Sequence, residues 1–143
     1  MAEQLRLAQS GLDVYEIFNA MLLMLRKSPA PQMALVEEEV AYRNLKQAVA
    51  EQRLYVYGDF AILVDAGSPW HTSKKVLIEE IVIRWRREFN TPVEAAIRQL
   101  DRIAKEHGCV AIAAGDTQVG IMGPRYTAAG FKTLGTQFFK EVP

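Results

Sequence analysis

The sequence predicts one domain of the α/β class (a mixed α+β sheet), in which an antiparallel hairpin precedes a parallel βαβ unit. The hairpin is predicted by two strand-type segments, residues 54–57 and 60–64, which are separated only by Gly58 and Asp59. A two-residue loop with glycine first is typical of a type II′ turn, because that turn needs a positive φ at its first central residue. The βαβ unit is predicted by two apolar strand-type segments with one helix-type segment between them.

The first of these apolar segments, residues 76–83, is interrupted only by Glu79 and Glu80, and the second covers residues 110–114. A strand that is apolar on both faces belongs inside a sheet that is covered on both sides. Two strands joined by a single helix are typically neighbours in a parallel pair with a right-handed crossover. We therefore expect residues 76–83 and 110–114 to pair in parallel.

The helix between them has the strongest pattern in the sequence and covers residues 92–107. Thr91 is a predicted N-cap, Pro92 takes the first helical position, Glu94 completes a capping box, and Gly108 ends the helix. An apolar stripe at helical spacing is expected to face the core; it consists of Val93, Ala96, Ile97, Leu100, Ile103 and Ala104.

Two further helices are predicted before the hairpin. The first begins with Asp13 as its N-cap and Glu16 as the capping partner, and it ends at two prolines near residue 30. The second covers residues 35–51, and its expected buried face consists of Val36, Val40, Leu45 and Val49. After the βαβ unit we expect a short helix or turn at residues 124–129 and a last strand at residues 132–141.

Composition narrows the possible function classes. The 143 residues carry 17 basic and 17 acidic side chains, and this balance argues against bulk electrostatic attraction to nucleic acid or to an anionic membrane. A single cysteine, Cys109, excludes an intramolecular disulfide and a multi-cysteine zinc site, and no His/Asp/Glu cluster has metal-ligand spacing. Without a membrane-length apolar run or a signal-peptide layout, we expect a cytoplasmic protein with no metal, nucleic-acid or membrane partner.

A family resemblance rests on the second half of the chain. The hairpin, the apolar strand, the long helix and the short strand are followed by Tyr126-Thr-Ala-Ala-Gly-Phe131. With these features the sequence resembles the GNAT-type N-acyltransferases, whose Tyr-x-x-x-Gly-Phe signature stands before the final strand. The resemblance implies a single GNAT-like domain over residues 1–143. Pro69-Trp70, before the central strand, also resembles small proteins of this kind that tailed bacteriophages encode.

The resemblance implies transfer of an acetyl group from acetyl-coenzyme A to an amine, and the sequence does not identify that amine. In the family, a glycine-rich loop before the long helix holds the pyrophosphate through its N–H groups. The corresponding stretch here is Arg87-Glu-Phe-Asn-Thr-Pro92, so that Asn90 and Pro92 replace two glycine-type positions. By resemblance, the expected cofactor contacts are Ile83, Arg86, Arg87, Asn90 and Thr91.

This loop departs from the family pattern in ways that should weaken anion binding. Pro92 has no N–H group to donate, and Glu94 adds a carboxylate to the first turn of the helix. Asn90 tolerates a left-handed backbone and is a partial substitute for glycine. We therefore expect arginines to contribute more than backbone amides, unless Arg84, Arg86 and Arg87 only form a solvated basic rim.

By resemblance, Tyr126 is the general acid that protonates the departing thiolate; the alternative is a tyrosine that only packs the short helix onto the sheet. Glu79 and Glu80 are the candidate general bases, because a carboxylate within an apolar strand needs a partner or a shifted pKa. The alternative is that one pairs with an arginine such as Arg84 while the other meets solvent. The residues alone do not choose between Glu79 and Glu80.

The acceptor site is expected in the loop that includes Trp70 and His71, although a lone histidine in a loop is more often solvated than functional. Two functions stay open. The first is an N-acetyltransferase, which Tyr126 and the paired carboxylates favour. The second is a GNAT-shaped protein without catalysis that serves as a binding or structural component, for example in a phage particle or against a host target, which the altered loop favours. The oligomeric state is open.

Overall fold

The computed structural model describes residues 4–115, 122–135 and 137–143, with Gln32 described by its backbone alone. The described elements are β1 (Leu5–Leu7), α1 (Leu12–Lys27), a 3-10 helix (Pro31–Leu35), α2 (Glu38–Ala50), β2 (Leu54–Tyr57), β3 (Phe60–Gly67), β4 (Val76–Arg84), α3 (Val93–Glu106), β5 (Ala111–Ala113) and α4 (Gly123–Ala128). The predicted α/β class with a mixed sheet is confirmed.

The described strands form one sheet in the order β1-β2-β3-β4-β5. Neighbours are antiparallel from β1 to β4, while β4 and β5 are parallel and are connected through α3. The predicted pairing of residues 76–83 with residues 110–114 is therefore confirmed. Strand β1 has only three residues, which is too short for an alternating pattern to predict a strand, so the sequence did not predict it.

The hairpin between β2 and β3 has the predicted turn. Tyr57 pairs with Phe60, Gly58 has a φ of 53°, and Asp59 has no positive φ, as a type II′ turn requires. Strand β3 extends to Gly67, three residues beyond the predicted end, because backbone pairing with β4 continues through those residues.

Each face of the sheet is covered by helices. On one face, α3 and α4 pack over a core that includes Leu77 and Val82 of β4. On the other, α1 and α2 pack over a core that includes Ile81 and Ile83 of the same strand. The predicted stripe of α3 is confirmed, since its fully buried positions recur at helical spacing: Ala96, Ile97, Leu100, Ile103 and Ala104. None of the described helices combines the length and the hydropathy that crossing a membrane requires.

A β-bulge in β4 sets the geometry of the central strand. Ile81 pairs with Leu63 and Glu79 pairs with Val64, so that Glu80 is an extra residue between two consecutive partners. Glu79 lies on the α3/α4 face and its neighbour Glu80 on the α1/α2 face, and the insertion keeps Ile81 on the same face as Glu80. Beyond the bulge β4 continues to Arg84, but its pairing with β5 covers only residues 76–78. The described pairing of β4 with β5 therefore ends one residue before Glu79.

Both predicted side-chain caps are wrong. Helix α1 begins at Leu12 after Gly11, and the Asp13 carboxylate accepts hydrogen bonds from the Gln9 N–H group and from Arg6. Helix α3 begins at Val93 after Pro92, which has no side chain able to cap. The Thr91 hydroxyl instead accepts a hydrogen bond at 3.0 Å from the N–H group of Asp59, far earlier in the chain.

Two boundaries also differ from prediction. Residues 31–35 form a 3-10 helix, α2 begins only at Glu38, and Val36 is exposed rather than buried. Within residues 132–141, the described positions contain no strand, which corrects the prediction of a last strand there. An alternating apolar pattern forms a strand only where a neighbouring strand pairs with it, and no pairing with the described sheet occurs. Leu134 and Phe138 in this segment are almost fully exposed.

Candidate active site

A narrow cleft lies beside β4, just past its described pairing with β5. It is lined by Met24 of α1, by residues 79–82 of β4, and by Gly115, Met122 and Tyr126. Its free volume is only about 20 Å³, roughly that of one water molecule. Entry of a larger group therefore requires the lining side chains to move, and methionine has the flexible, unbranched side chain that such movement needs.

Inside the cleft, the Tyr126 hydroxyl donates a hydrogen bond to Glu79 Oε2 at 2.9 Å. Glu79 and Tyr126 are only 6% and 7% exposed, so this hydrogen bond is shielded from solvent. The Gly115 N–H group, just after β5, contacts the same carboxylate oxygen at 3.4 Å. The structure thus brings together two of the predicted catalytic side chains, a phenol and a carboxylate.

The Tyr-x-x-x-Gly-Phe motif positions this tyrosine. Gly130 has a φ of 95°, which lets the chain reverse at the end of α4, and the Phe131 N–H group donates to the Tyr126 carbonyl at 3.0 Å. As a result, the Phe131 ring packs edge-on against Tyr126, with ring centroids 5.2 Å apart. The glycine and the phenylalanine of the motif together hold the Tyr126 ring in place.

Glu80 has a different environment from Glu79. It lies on the α1/α2 face of the bulge and is partly exposed to solvent. Burial raises the pKa of Glu80; the positive charge of Arg53 lowers it and the negative charge of Asp65 raises it, with a net increase. Arg84, which sequence reasoning offered as a partner for one of the two glutamates, pairs instead with Asp59 at 3.3 Å.

Asp59 is fully buried and organises the loop between β4 and α3. Its carboxylate accepts hydrogen bonds from the N–H groups of Glu88 at 2.9 Å, Phe89 at 3.0 Å and Thr91 at 3.1 Å, and from Arg84. Burial alone would raise the pKa of Asp59, but these backbone donors and the charge of Arg84 outweigh it and lower the pKa. The amides that the resemblance assigned to a pyrophosphate therefore already bind an internal carboxylate.

Sequence reasoning missed this role of Asp59 and treated it only as a turn residue. The sequence does contain one signal. Asp59 precedes Phe60, and Phe60 is the cross-strand partner of Arg84. Pairing the predicted strands in register would have placed the carboxylate next to that arginine and at the start of the loop.

A larger cavity of about 460 Å³ lies at the N-terminal end of α3; its lining consists of Phe60, Arg84, Asn90, Thr91, Pro92, Val93, Glu94 and Arg125. The Arg84 guanidinium stacks over the Phe60 ring at 4.5 Å and donates to the Thr91 carbonyl at 2.8 Å. Arg125, next to Tyr126 on α4, forms an ion pair with Glu94 at 2.8 Å. Asn90 has a φ of 53°, which is the left-handed conformation expected of a glycine substitute.

Of the predicted cofactor contacts, Asn90 and Thr91 line this cavity, whereas Ile83, Arg86 and Arg87 do not. Ile83 is buried in the core beneath α1. Arg86 turns towards α1, where it donates to Glu16 at 3.1 Å and stacks over Trp85 at 3.9 Å. Arg87 is exposed.

The predicted acceptor residues lie away from both cavities. Trp70 is 97% exposed in the loop between β3 and β4, and its ring contacts only that of His71 among the described aromatic pairs, edge-on at 5.4 Å. This loop leads into the first residue of β4, whereas the larger cavity adjoins the last residue of that strand. Among the described residues, no group of three histidine, cysteine or acidic side chains could hold a metal ion.

Solved structures of acetyltransferases share this fold over essentially the whole chain. A possible acetyltransferase from Clostridium difficile 630 has a TM-score of 0.73 at 12% identity, covering 100% of this chain and 99% of that one. Glucosamine-6-phosphate N-acetyltransferase from Arabidopsis thaliana has a TM-score of 0.59 at 12% identity, with both chains covered completely. A GNAT family acetyltransferase from Staphylococcus aureus has a TM-score of 0.58 at 14% identity, covering 99% and 100%.

No family model and no curated protein sequence matches this chain. At identities this low the structural likeness shows the fold alone. The chain has the GNAT acetyltransferase fold, as the sequence predicted.

Proposed function

We propose that this protein, which has the fold of the GNAT acetyltransferases, is an N-acetyltransferase that transfers an acetyl group from acetyl-coenzyme A to an amine. The observation that carries the proposal is the buried hydrogen bond between Tyr126 and Glu79, in the cleft beside β4. A buried acid and base within hydrogen-bond distance are what acyl transfer to an amine requires, because one proton must leave the nitrogen and one must reach the leaving group.

The cavity at the N-terminal end of α3 fits an anionic ligand, although by a route different from the glycine-rich loop. The loop amides of Glu88, Phe89 and Thr91 bind Asp59. What remains for a phosphate is the positive end of the α3 dipole together with the side chains of Arg84 and Arg125. These groups would hold the coenzyme A phosphates, and the volume of about 460 Å³ is ample for a diphosphate group.

When bound, an acetyl thioester supplies an electrophilic carbonyl carbon and a thiol leaving group. Tyr126 gives its hydroxyl proton to the sulfur. Glu79 takes the proton of the amine, because it lies on the same face of β4 as Tyr126, whereas Glu80 lies on the opposite face. Met24 and Met122 line the cleft and exclude water from these proton transfers.

A second candidate function is supported by a specific observation. Asp59 takes the loop amides, and Glu94 neutralises Arg125 at the mouth of the larger cavity, so two carboxylates compete with any phosphate. If these carboxylates prevent phosphate binding, the chain is a catalytically degenerate binding or structural protein, such as a component of a phage particle or a protein that binds a host target. Exposed Trp70 would then be a candidate partner contact.

Thermal unfolding titrated with acetyl-coenzyme A separates the two functions. Specific binding must raise the melting temperature as the ligand concentration exceeds the Kd. Release of free thiol is then followed over a broad panel of amines. Arg125→Ala should weaken the thermal shift, while Arg102→Ala, at the far end of α3 in an exposed ion pair with Glu106, serves as the matched control. A protein that neither shifts nor releases thiol with any amine supports the binding function.

A further inference from the structure

The contact between Glu79 and Tyr126 raises a question about charge. Both side chains are more than nine-tenths buried, and the phenol donates directly to the carboxylate at 2.9 Å. If Tyr126 lost its proton while Glu79 stayed ionised, two negative charges would face each other in a site that excludes solvent. Like charges at such a distance disfavour the charged form strongly, so this state is a poor endpoint for general-acid catalysis.

This repulsion is avoided if Glu79 is protonated when Tyr126 gives up its proton. A protonated Glu79 can donate to the phenol oxygen, which stabilises the phenolate as it forms and then neutralises it. The amine provides that proton, because the nitrogen must lose one on becoming an amide. No other proton source is required.

We propose that Glu79 and Tyr126 form one proton relay, in which the proton that Glu79 takes from the amine replaces the proton that Tyr126 gives up; this rests on the proposed acetyl transfer. Glu79 accepts the proton as the C–N bond forms. Tyr126 releases its proton to the sulfur as the C–S bond breaks. Glu79 then passes its proton across the 2.9 Å hydrogen bond to the Tyr126 oxygen. The pair returns to its starting state, with one proton moved from nitrogen to sulfur.

If the two residues form a relay, replacing either one should lower kcat as much as replacing both. Glu79→Gln and Tyr126→Phe should each lower kcat by about 100-fold, the usual size of a general acid–base contribution. The double variant should lose about the same, because either change alone interrupts the same path. Asp65→Asn, an exposed carboxylate on β3 that lines neither cavity, is the control and should retain wild-type kcat.

A structural role for the hydrogen bond is tested separately. Glutamine at position 79 can still accept from the Tyr126 hydroxyl, so thermal unfolding and acetyl-coenzyme A affinity should stay close to those of the wild type. In protein labelled at tyrosine Cζ, the Tyr126 resonance is identified by its loss in Tyr126→Phe. Without any ligand, it should shift with pH as Glu79 titrates, and this step should vanish in Glu79→Gln but persist in Glu80→Gln.

The outcomes are distinguishable. An active wild type in which the two losses multiply to about 10⁴-fold would overturn the relay and leave the proposed function standing. A Tyr126 resonance insensitive to Glu79 would also overturn the relay. A wild type that binds acetyl-coenzyme A but acetylates no amine, or binds none, overturns the proposed function and the relay with it. Equal losses in single and double variants, with the coupled resonance, establish the relay.

Discussion

Asp59 and Glu79 are both buried carboxylates, but their surroundings differ. Asp59 is completely buried and contacts three backbone N–H groups and the Arg84 guanidinium. Glu79 is nearly as buried, and its carboxylate accepts hydrogen bonds from the Tyr126 hydroxyl and the Gly115 N–H group. The environment of Asp59 keeps its charge fixed, whereas that of Glu79 includes a group with which a proton can be exchanged.

The two environments suit different roles for these two carboxylates of one protein. A carboxylate compensated by amides and a cation fastens the β2–β3 turn to the loop before α3, and it has no reason to change protonation near neutral pH. A carboxylate facing a phenol in a water-excluding cleft is suited to acid–base work. Replacing Asp59 should therefore affect stability, whereas replacing the pair in the cleft should affect turnover.

Asp59→Asn should destabilise the protein by about 3 kcal/mol, because it leaves Arg84 without its partner and turns an amide NH₂ towards backbone donors. The free energy of unfolding, measured with denaturant, checks this. Asp65→Asn, an exposed position on β3, is the control and should change stability by less than about 0.5 kcal/mol. If Asp59→Asn is as stable as the wild type, Asp59 does not have this structural role.

Tyr126→Phe should lower kcat by about 100-fold, equivalent to about 2.7 kcal/mol, while leaving acetyl-coenzyme A affinity nearly unchanged. The hydroxyl is needed only as the C–S bond breaks, so its loss falls on the chemical step. The ring remains packed against Phe131, so the stability cost should be small. Steady-state kinetics with calorimetric binding measures both quantities. Unchanged turnover would take Tyr126 out of the mechanism.

The stability that Asp59 contributes should depend on acid pH in a defined direction. Its folded-state pKa is lowered from the ordinary value of 3.8, so its contribution is fully present above that value. It is lost as the pH falls from there through the folded-state pKa, because the unfolded chain then binds the proton more readily. Unfolding free energies of the wild type and Asp59→Asn should therefore converge below pH 3.8. A difference that stays constant across this range would mean that the charge of Asp59 contributes nothing.

The sequence predicted the local elements better than the connections between them. The hairpin turn, β4 and the apolar stripe of α3 follow from short patterns, and the structure contains all three. The capping box failed for a physical reason. Thr91 has the right residue type for an N-cap, but its hydroxyl is held by Asp59, which lies 32 residues earlier in the chain.

The same limit applies to the candidate site. Sequence spacing alone left Glu79 and Glu80 equivalent, because a regular strand only alternates them and does not say which face holds the cleft. The packing of the helices decides their placement, because α3 and α4 cover the face that holds Leu77, and Glu79 shares that face. Long-range packing therefore determines which carboxylate meets Tyr126.

Arginine contacts at the larger cavity should have a moderate effect on ligand binding. Arg125→Ala should weaken acetyl-coenzyme A binding by about fivefold, since one charge-assisted contact contributes about 1 kcal/mol at a half-exposed site. Arg87→Ala should weaken it less, because Arg87 does not line the cavity. Calorimetric titration of both variants with acetyl-coenzyme A gives the ratio of their Kd values to that of the wild type. Binding that depends on Arg87 and ignores Arg125 would place the phosphates elsewhere.

The smallest effect is expected for Glu94→Gln, which tests whether the Glu94 carboxylate blocks anion binding at the N-terminal end of α3. Glu94 forms an ion pair with Arg125 across the cavity and adds negative charge to the first turn of α3, where an anion would bind. Removing that charge frees Arg125, so affinity for acetyl-coenzyme A should stay equal or rise by up to about threefold, the size of an exposed ion pair. Because both side chains are about half exposed, stability should hardly change. Measured at two salt concentrations, the gain should shrink at the higher one, since salt screens exposed charges. A loss of affinity would instead mean that Glu94 contacts the ligand, and Glu94 would then join Glu79, rather than Asp59, as a carboxylate with a functional role.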